Sequence, residues 1–110
     1  MAGEVAFFQL PGMGLALWHR AALAADAGVR DSGAGFGGIA LAYNTRSREE
    51  VAEVLAAAQA AGGRITRAAA DTPWGGHAGY FADPDGHLWE VAWNPSWTVA
   101  ADGTVRIGGG

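Results

Sequence analysis

A chain of 110 residues, half of them hydrophobic, supports one core and hardly two. Its seven basic residues, all arginine, are scattered among 11 acidic ones for a net charge of −4, which excludes a nucleic-acid-binding stripe. The absence of cysteine removes disulfides, thiolate metal sites and cysteine nucleophiles together. The opening Met1-Ala2-Gly3-Glu4 lacks the basic start of a signal peptide, and no apolar stretch reaches the roughly 20 residues a membrane helix needs. A cytoplasmic protein with no membrane partner is expected.

Val5 to Leu10 and Gly14 to His19 are short apolar runs separated by Pro11-Gly12, the pattern of a hairpin. Ala21 to Ala27, closed by Gly28, suits a helical turn or two and reads as a connector. A glycine-rich loop from Asp31 to Gly38 leads into Ile39 to Asn44, where Ile39, Leu41 and Tyr43 alternate with Ala40, Ala42 and Asn44. One face of that strand carries bulk and the other is nearly bare. Ser47 with Glu50 makes a capping box, and Val51, Val54, Leu55 and Ala58 follow at helical spacing, so a helix is predicted from about Arg48 to Ala61.

Gly62-Gly63 stops that helix, and Arg64 to Ala69 begins a strand. Gly79 to Ala82 and Leu88 to Trp93 flank Asp83-Pro84-Asp85-Gly86, in which Pro84 suits the first central turn position and Gly86 a positive φ. Asn94-Pro95 ends the last strand, and residues 98–110 read as a flexible tail. The second half therefore runs strand, helix, strand, strand, strand.

That βαβββ order resembles the vicinal oxygen chelate superfamily of glyoxalases, bleomycin-resistance proteins and extradiol dioxygenases. The residues carrying the likeness are Gly37-Gly38-Ile39-Ala40-Leu41, Ala60-Ala61-Gly62-Gly63, and the run from Phe81 through Asp83-Pro84-Asp85-Gly86-His87 to Val91. Small bacterial glyoxalase-like members with Trp74-Gly75-Gly76 and Trp93-Asn94-Pro95 are closest in flavour. The resemblance implies an α+β fold in which paired βαβββ modules enclose a curved-sheet cup, within a single domain over residues 1–97. Residues 36–97 would be a complete second module. Residues 1–30 would be a partial first module, N-terminally incomplete, with a second copy of the chain in a homodimer covering the resulting edge.

Catalytic members of that superfamily hold a divalent metal with up to four His or Glu side chains. The resemblance puts the first position in the missing opening strand, the second on Ala16 and the third on Gly38, and only the fourth, Glu90, keeps a donor. One carboxylate does not make such a site, so no cofactor is expected, with a divalent metal as the alternative. His19, His77 and His87 lack a spacing that shares a face with Glu90. The plain reading makes them exposed or hydrogen-bonded, although the glycines before His77 keep it as a pocket candidate.

By alternation Leu88, Glu90 and Ala92 share the face turned to the cup, and Trp89, Val91 and Trp93 the other. Glu90 there is a candidate general base or polar anchor, set against the simpler role of an ion-paired strand residue. Gly38, Ala40, Ala42, Ala16 and Ala92 leave the cup roomy, and Trp18, Trp74 and Tyr80 are candidates to line it. Trp89, Trp93 and Trp97 read as core anchors against the Val51-Val54-Leu55 face, a role open to Trp18 as well. The leading expectation is a small-molecule binding protein, taking an aromatic or amphipathic ligand without a family-type metal. A metal-dependent lyase or dioxygenase using Glu90, and a degenerate structural fragment, are the alternatives.

Overall fold

The computed structural model describes residues 5–31 and 36–108. Residues 32–35 of the glycine-rich loop, the first four residues and the last two lie outside the described residues. The chain is α+β. Strands β1 (Val5–Leu10) and β2 (Met13–Trp18) form an antiparallel hairpin across Pro11-Gly12, with Gly12 at φ 75°, the positive φ that a glycine supplies without strain. Helix α1 (Arg20–Ala27) follows and stops at Gly28 in the left-handed region. Then come β3 (Ala40–Asn44), α2 (Arg48–Ala60), β4 (Arg64–Asp71), β5 (His77–Ala82) and β6 (Leu88–Trp93). These four strands make one sheet in the order β3-β6-β5-β4, in which β3 runs parallel to β6 and the other pairs are antiparallel. This is the βαβββ module expected from the second half. It stays an open sheet, and the hairpin forms a separate two-stranded sheet, so the described residues of one chain do not close a cup.

Local signals explain the elements. Ser47 caps α2 by accepting a hydrogen bond from the Glu50 N–H at 3.4 Å, while the Glu50 carboxylate accepts from the Arg46 N–H at 2.9 Å, a capping box shifted back by one residue. The turn between β5 and β6 is organised by Asp83, whose Oδ1 accepts from the N–H groups of Asp85 and His87 while its Oδ2 accepts from Trp89 Nε1 at 3.1 Å. Gly86 takes φ 89° there. The three N–H donors hold the Asp83 carboxyl below the usual carboxylate range.

Register divides the sheet into two faces. Val91 and Gly79 on the outer face meet Val51 and Leu55 of α2; Val51 and Val91 are fully buried. Gly79 permits this contact, because a Cβ there would stand 2.5 Å from Leu55 Cδ1 and 2.9 Å from the Arg67 carbonyl oxygen. Trp93 and Phe81 pack against the same cluster, and Trp89 stacks on Phe81 with centroids 6.2 Å apart. Trp97, expected beside them, instead meets Phe7 of the hairpin edge to face at 5.5 Å.

The inner face is where sequence and structure differ most. A roomy surface of small residues is expected there, but α1 lies against it, with Leu23, Ala24 and Ala27 buried on Tyr80, Ala82 and Leu88 together with Phe36. The connector is a core element. The alanines that look like empty space allow a helix to approach the sheet closely. An apolar groove of ≈ 350 Å³ lies instead on the outer face, between Tyr43 of β3, Val54 and Ala58 of α2, Phe81 and Trp89.

The expected flexible tail also carries structure. Strands β7 (Thr98–Val99) and β8 (Val105–Arg106) pair antiparallel, and β8 docks on the first hairpin. The Val105 N–H donates to the Gly12 carbonyl, and the Gln9 amide donates to the Val105 carbonyl at 3.0 Å and accepts from the Ile107 N–H at 2.6 Å. The Gln9 side chain thus takes the place of a strand partner, which hydropathy does not reveal. On the hairpin's other face Ala6, Phe8, Leu10, Met13, Leu15 and Leu17 share one side by register, and all are exposed. Among the described residues no helix is long and apolar enough to cross a membrane.

Candidate functional site

Glu90 sits in the middle of β6, opposite Tyr80 of β5 and beside Ala42 of β3. Alternation aims all three at the inner face. The Tyr80 hydroxyl lies 2.7 Å from Asp26 Oδ2 and 3.3 Å from Glu90 Oε2, so three oxygen groups from α1, β5 and β6 meet at one point. The phenol has one proton to give, and the shorter contact assigns it to Asp26. Burial pushes Glu90 up to about 7, reinforced by the Asp26 charge and opposed by the Tyr80 hydrogen bond. Burial and the two carboxylates raise Tyr80 far above its ordinary value, so the phenol stays protonated and acts as a donor. Near neutral pH Glu90 therefore exchanges a proton readily, which is the property of a general base or acid.

The other side of α1 is tied down by β4. Thr66 Oγ1 donates to the Ala27 carbonyl at 2.7 Å, and Arg67 Nη1 donates to the Asp26 carbonyl at 3.0 Å. These bonds satisfy carbonyls of the last helical turn, and a guanidinium at that end complements the helix dipole. Asp26 is the functional candidate that sequence reasoning misses. Its partner is 54 residues away, and nothing in an alanine-rich run marks one aspartate as inward-facing. Leu23 and Ala27, four apart and ahead of a C-capping glycine, are the one readable hint that the helix has a buried stripe.

The remaining expected site residues scatter. Trp18 packs against the cluster that α1 forms with the sheet, and its indole N–H is buried without a hydrogen-bond partner among the described residues. Ala16 is exposed on the hairpin, opposite Phe7. His77 falls on the outer face, opposite Trp93, and its Nδ1 lies 2.8 Å from Asp71, which also pairs with Arg48 of α2 at 2.8 Å. His77 and Tyr80 are three positions apart on β5, which puts the pair on opposite faces. Trp74 is 45% exposed in the β4–β5 turn, its ring folded over Gly76, where a Cβ would overlap it.

Gly38 has φ 78°, and a Cβ there would lie 2.5 Å from Arg20 Nη1. Arg20 is fixed at that point by Asp31 at 2.7 Å, the Phe36 carbonyl at 2.7 Å and the Phe36 ring. A guanidinium therefore fills the space beside the position that the resemblance gives to a third metal ligand. Among the described residues no group of three or more His, Asp or Glu side chains is placed to hold a metal ion. Glu90 has Tyr80 and Asp26 as its oxygen neighbours, and this donor set does not fit the His/Glu centre of the catalytic members.

Comparison with known proteins agrees with the fold. The family model described as Glyoxalase/Bleomycin resistance protein/Dioxygenase superfamily matches residues 18–91. Among solved structures, a glyoxalase-related enzyme from Fulvimarina pelagi is 43% identical over 98% of this chain and 77% of its own, with a TM-score of 0.64. A glyoxalase/bleomycin resistance protein/dioxygenase from Nocardioides is 27% identical over 84% of this chain and 63% of its own, with a TM-score of 0.47. Lactoylglutathione lyase from Agrobacterium tumefaciens is 19% identical over 86% and 71%, with a TM-score of 0.46. No curated protein matches. The family model spans most of the chain, the 43% identical relative covers nearly all of it, and the sheet has the βαβββ order: the chain belongs to the glyoxalase/bleomycin resistance protein/dioxygenase superfamily.

Proposed function

We propose that this chain binds a small aromatic or amphipathic molecule on the inner face of its four-stranded sheet, without a family-type metal, and that it works as a cytoplasmic homodimer. The observation that carries the reading is the junction of Glu90, Tyr80 and Asp26, a polar centre at the apolar cluster against which Trp18 packs. Such a combination of apolar walls and a few convergent polar groups is how small-molecule sites are built. Ligand atoms would contact Trp18 and Ala42 and hydrogen-bond to Glu90. Trp74, His77 and the hairpin's Ala16 stand apart from this point, and Arg20 fills the space beside Gly38.

The exposed side of the hairpin supports the homodimer. Phe8, Met13, Leu15 and Leu17 are each close to half exposed on one uncharged side, a surface that a lone two-stranded sheet does not sustain in water. A second, catalytic reading is favoured by Glu90 itself, since it keeps the fourth family ligand position and is pushed up to about 7; the Fulvimarina pelagi relative is called an enzyme. The test of the binding reading is a tryptophan-fluorescence screen of aromatic compounds, repeated with Trp18→Ala. Loss of the ring should weaken a hit by about 1–3 kcal/mol from stacking and buried area. Unchanged affinity across all hits would remove Trp18 from the site, and absence of any hit would favour a structural fragment.

A further inference from the structure

We propose that two copies of the chain cover each other's apolar surfaces reciprocally. The bare side of one copy's hairpin packs on the β3 side of its partner's outer sheet face, and the partner returns the same contact about a twofold axis. The proposal rests on the homodimer reading above and deepens it by naming the two surfaces that meet.

Exposed apolar bulk is concentrated in two places. Among the described residues ten large apolar side chains are exposed, and eight of them lie in two patches. Phe8, Leu10, Met13, Leu15 and Leu17 share one side of the β1–β2 hairpin by register. Ile39, Leu41 and Tyr43 alternate along the edge strand β3, at 70%, 48% and 49% exposure. Leu41 stands beside Trp89 and Tyr43 beside Val91, which puts this row on the outer face. Helix α2 lies mainly over β4, β5 and β6, so the outer face is uncovered at β3. The ≈ 350 Å³ groove between Tyr43, Val54, Ala58, Phe81 and Trp89 continues the bare row toward the helix.

Neither patch is charged: no Asp, Glu, Arg or His lies in Val5–Trp18 or in Gly37–Asn44. The opposite edge of the sheet, β4, carries Arg64, Arg67 and Asp71 and two breaks in register, features that discourage a further partner. Both patches are bare within one chain, so a second copy is needed to bring them together. At about 180 Å² for a fully open large apolar residue, the exposed fractions leave about 440 Å² on the hairpin side and about 300 Å² on the β3 row. A hairpin-to-hairpin contact then buries about 900 Å² and a β3-to-β3 contact about 600 Å², both short of the roughly 1,200–2,000 Å² of a stable interface. Reciprocal packing buries about 1,500 Å², inside that range, and covers both patches with one symmetry operation. It uses the outer face of the sheet and the hairpin side opposite Trp18, so it leaves the Glu90 side of the sheet uncovered.

Sedimentation velocity on the full chain, with circular dichroism as the check on folding, tests the pairing. The wild type is expected to be a dimer. Leu15→Lys and Leu41→Glu each put an unpaired charge into both contacts, and each should raise the dimer dissociation constant at least about 100-fold, the effect of an uncompensated buried charge. Mixed in equal amounts, the two variants should recover a dimer, because the mixed pair keeps one unaltered contact and sets Lys against Glu in the other. Loss of the dimer in only one variant means that one patch pairs with itself, and survival of the dimer in both means that neither patch is used; each result overturns the proposal while the homodimer stands. Two monomeric variants that stay monomeric on mixing overturn the reciprocity. A wild type that is monomeric at high micromolar concentration removes the homodimer itself. Should a charged variant unfold, Leu17→Cys and Ile39→Cys take its place, since the chain has no cysteine of its own. After subunit exchange a short bismaleimide should join the two cysteine variants to each other, and joining of each variant to itself instead overturns the pairing.

Discussion

Glu90→Gln is expected to stabilise the protein in a strictly pH-dependent way. Glu90 is pushed from an ordinary 4.5 to about 7, by burial first and by the Asp26 charge second. Between these values the folded chain holds a proton that the unfolded chain has released, so wild-type stability falls as pH rises through the window from about 4.5 to 7. Each pH unit is worth 1.36 kcal/mol, which sets the full penalty at roughly 3 kcal/mol above pH 7. Glutamine keeps the shape and a hydrogen-bonding head but never ionises. The variant should therefore match the wild type at pH 4 and exceed it by about 2–3 kcal/mol at pH 8. Asp71, Asp83 and Asp102 titrate below the usual carboxylate range; their contribution is lost only as the pH drops through that range, equally in both proteins, and cancels in the comparison. Urea denaturation at pH 4, 5, 6, 7 and 8, with the slope checked for constancy, reads the difference directly. A difference that does not change with pH, or a variant less stable than wild type at pH 8, would refute the buried-carboxylate reasoning.

Two further outcomes follow from close approaches in the structure. Gly79→Ala should cost about 1–3 kcal/mol by overpacking against Leu55 and the Arg67 carbonyl; thermal unfolding with no loss of Tm would show that α2 stands further from β5. Gly38→His looks from the sequence like a way to restore a metal ligand near Glu90. The φ of 78° and the Arg20 guanidinium at that point lead instead to a destabilised variant with no gain in nickel or zinc affinity, and calorimetry showing tight stoichiometric metal would contradict that placement.

The module was legible where chemistry is local. Ser47 and Glu50 mark the start of α2, Gly62 its end, and Asp83-Pro84-Asp85-Gly86 the turn whose Asp83 carboxylate organises three N–H donors. Alternation along Leu88 to Trp93 assigns Glu90 to the inner face and Val91 to the α2 core correctly, because a strand's period of two leaves no choice once one face is buried. What the sequence hid is tertiary. An eight-residue helix with five alanines around Leu23 has too few turns to display a stripe, so α1 looks like a connector, although its small side chains are what let it lie on Tyr80 and Leu88. Asp26 acquires its role only when that packing brings it to Tyr80. The tail pairs through two-residue strands and through the Gln9 side chain, neither of which leaves a hydropathy pattern. The glycines before His77 suggest a pocket residue, yet they serve the β4–β5 turn, where Thr72 bonds to Gly76 through both backbone and side chain.

The central claim is that Glu90 works without a metal. Elemental mass spectrometry on untagged protein, after exposure to nickel, zinc, iron and manganese and removal of free ions, tests it beside a Glu90→Ala control. Folded protein with no more than trace metal, and no difference between the two, is the expected result. Near-stoichiometric metal that disappears in Glu90→Ala would contradict it and make a metal-dependent enzyme the leading reading.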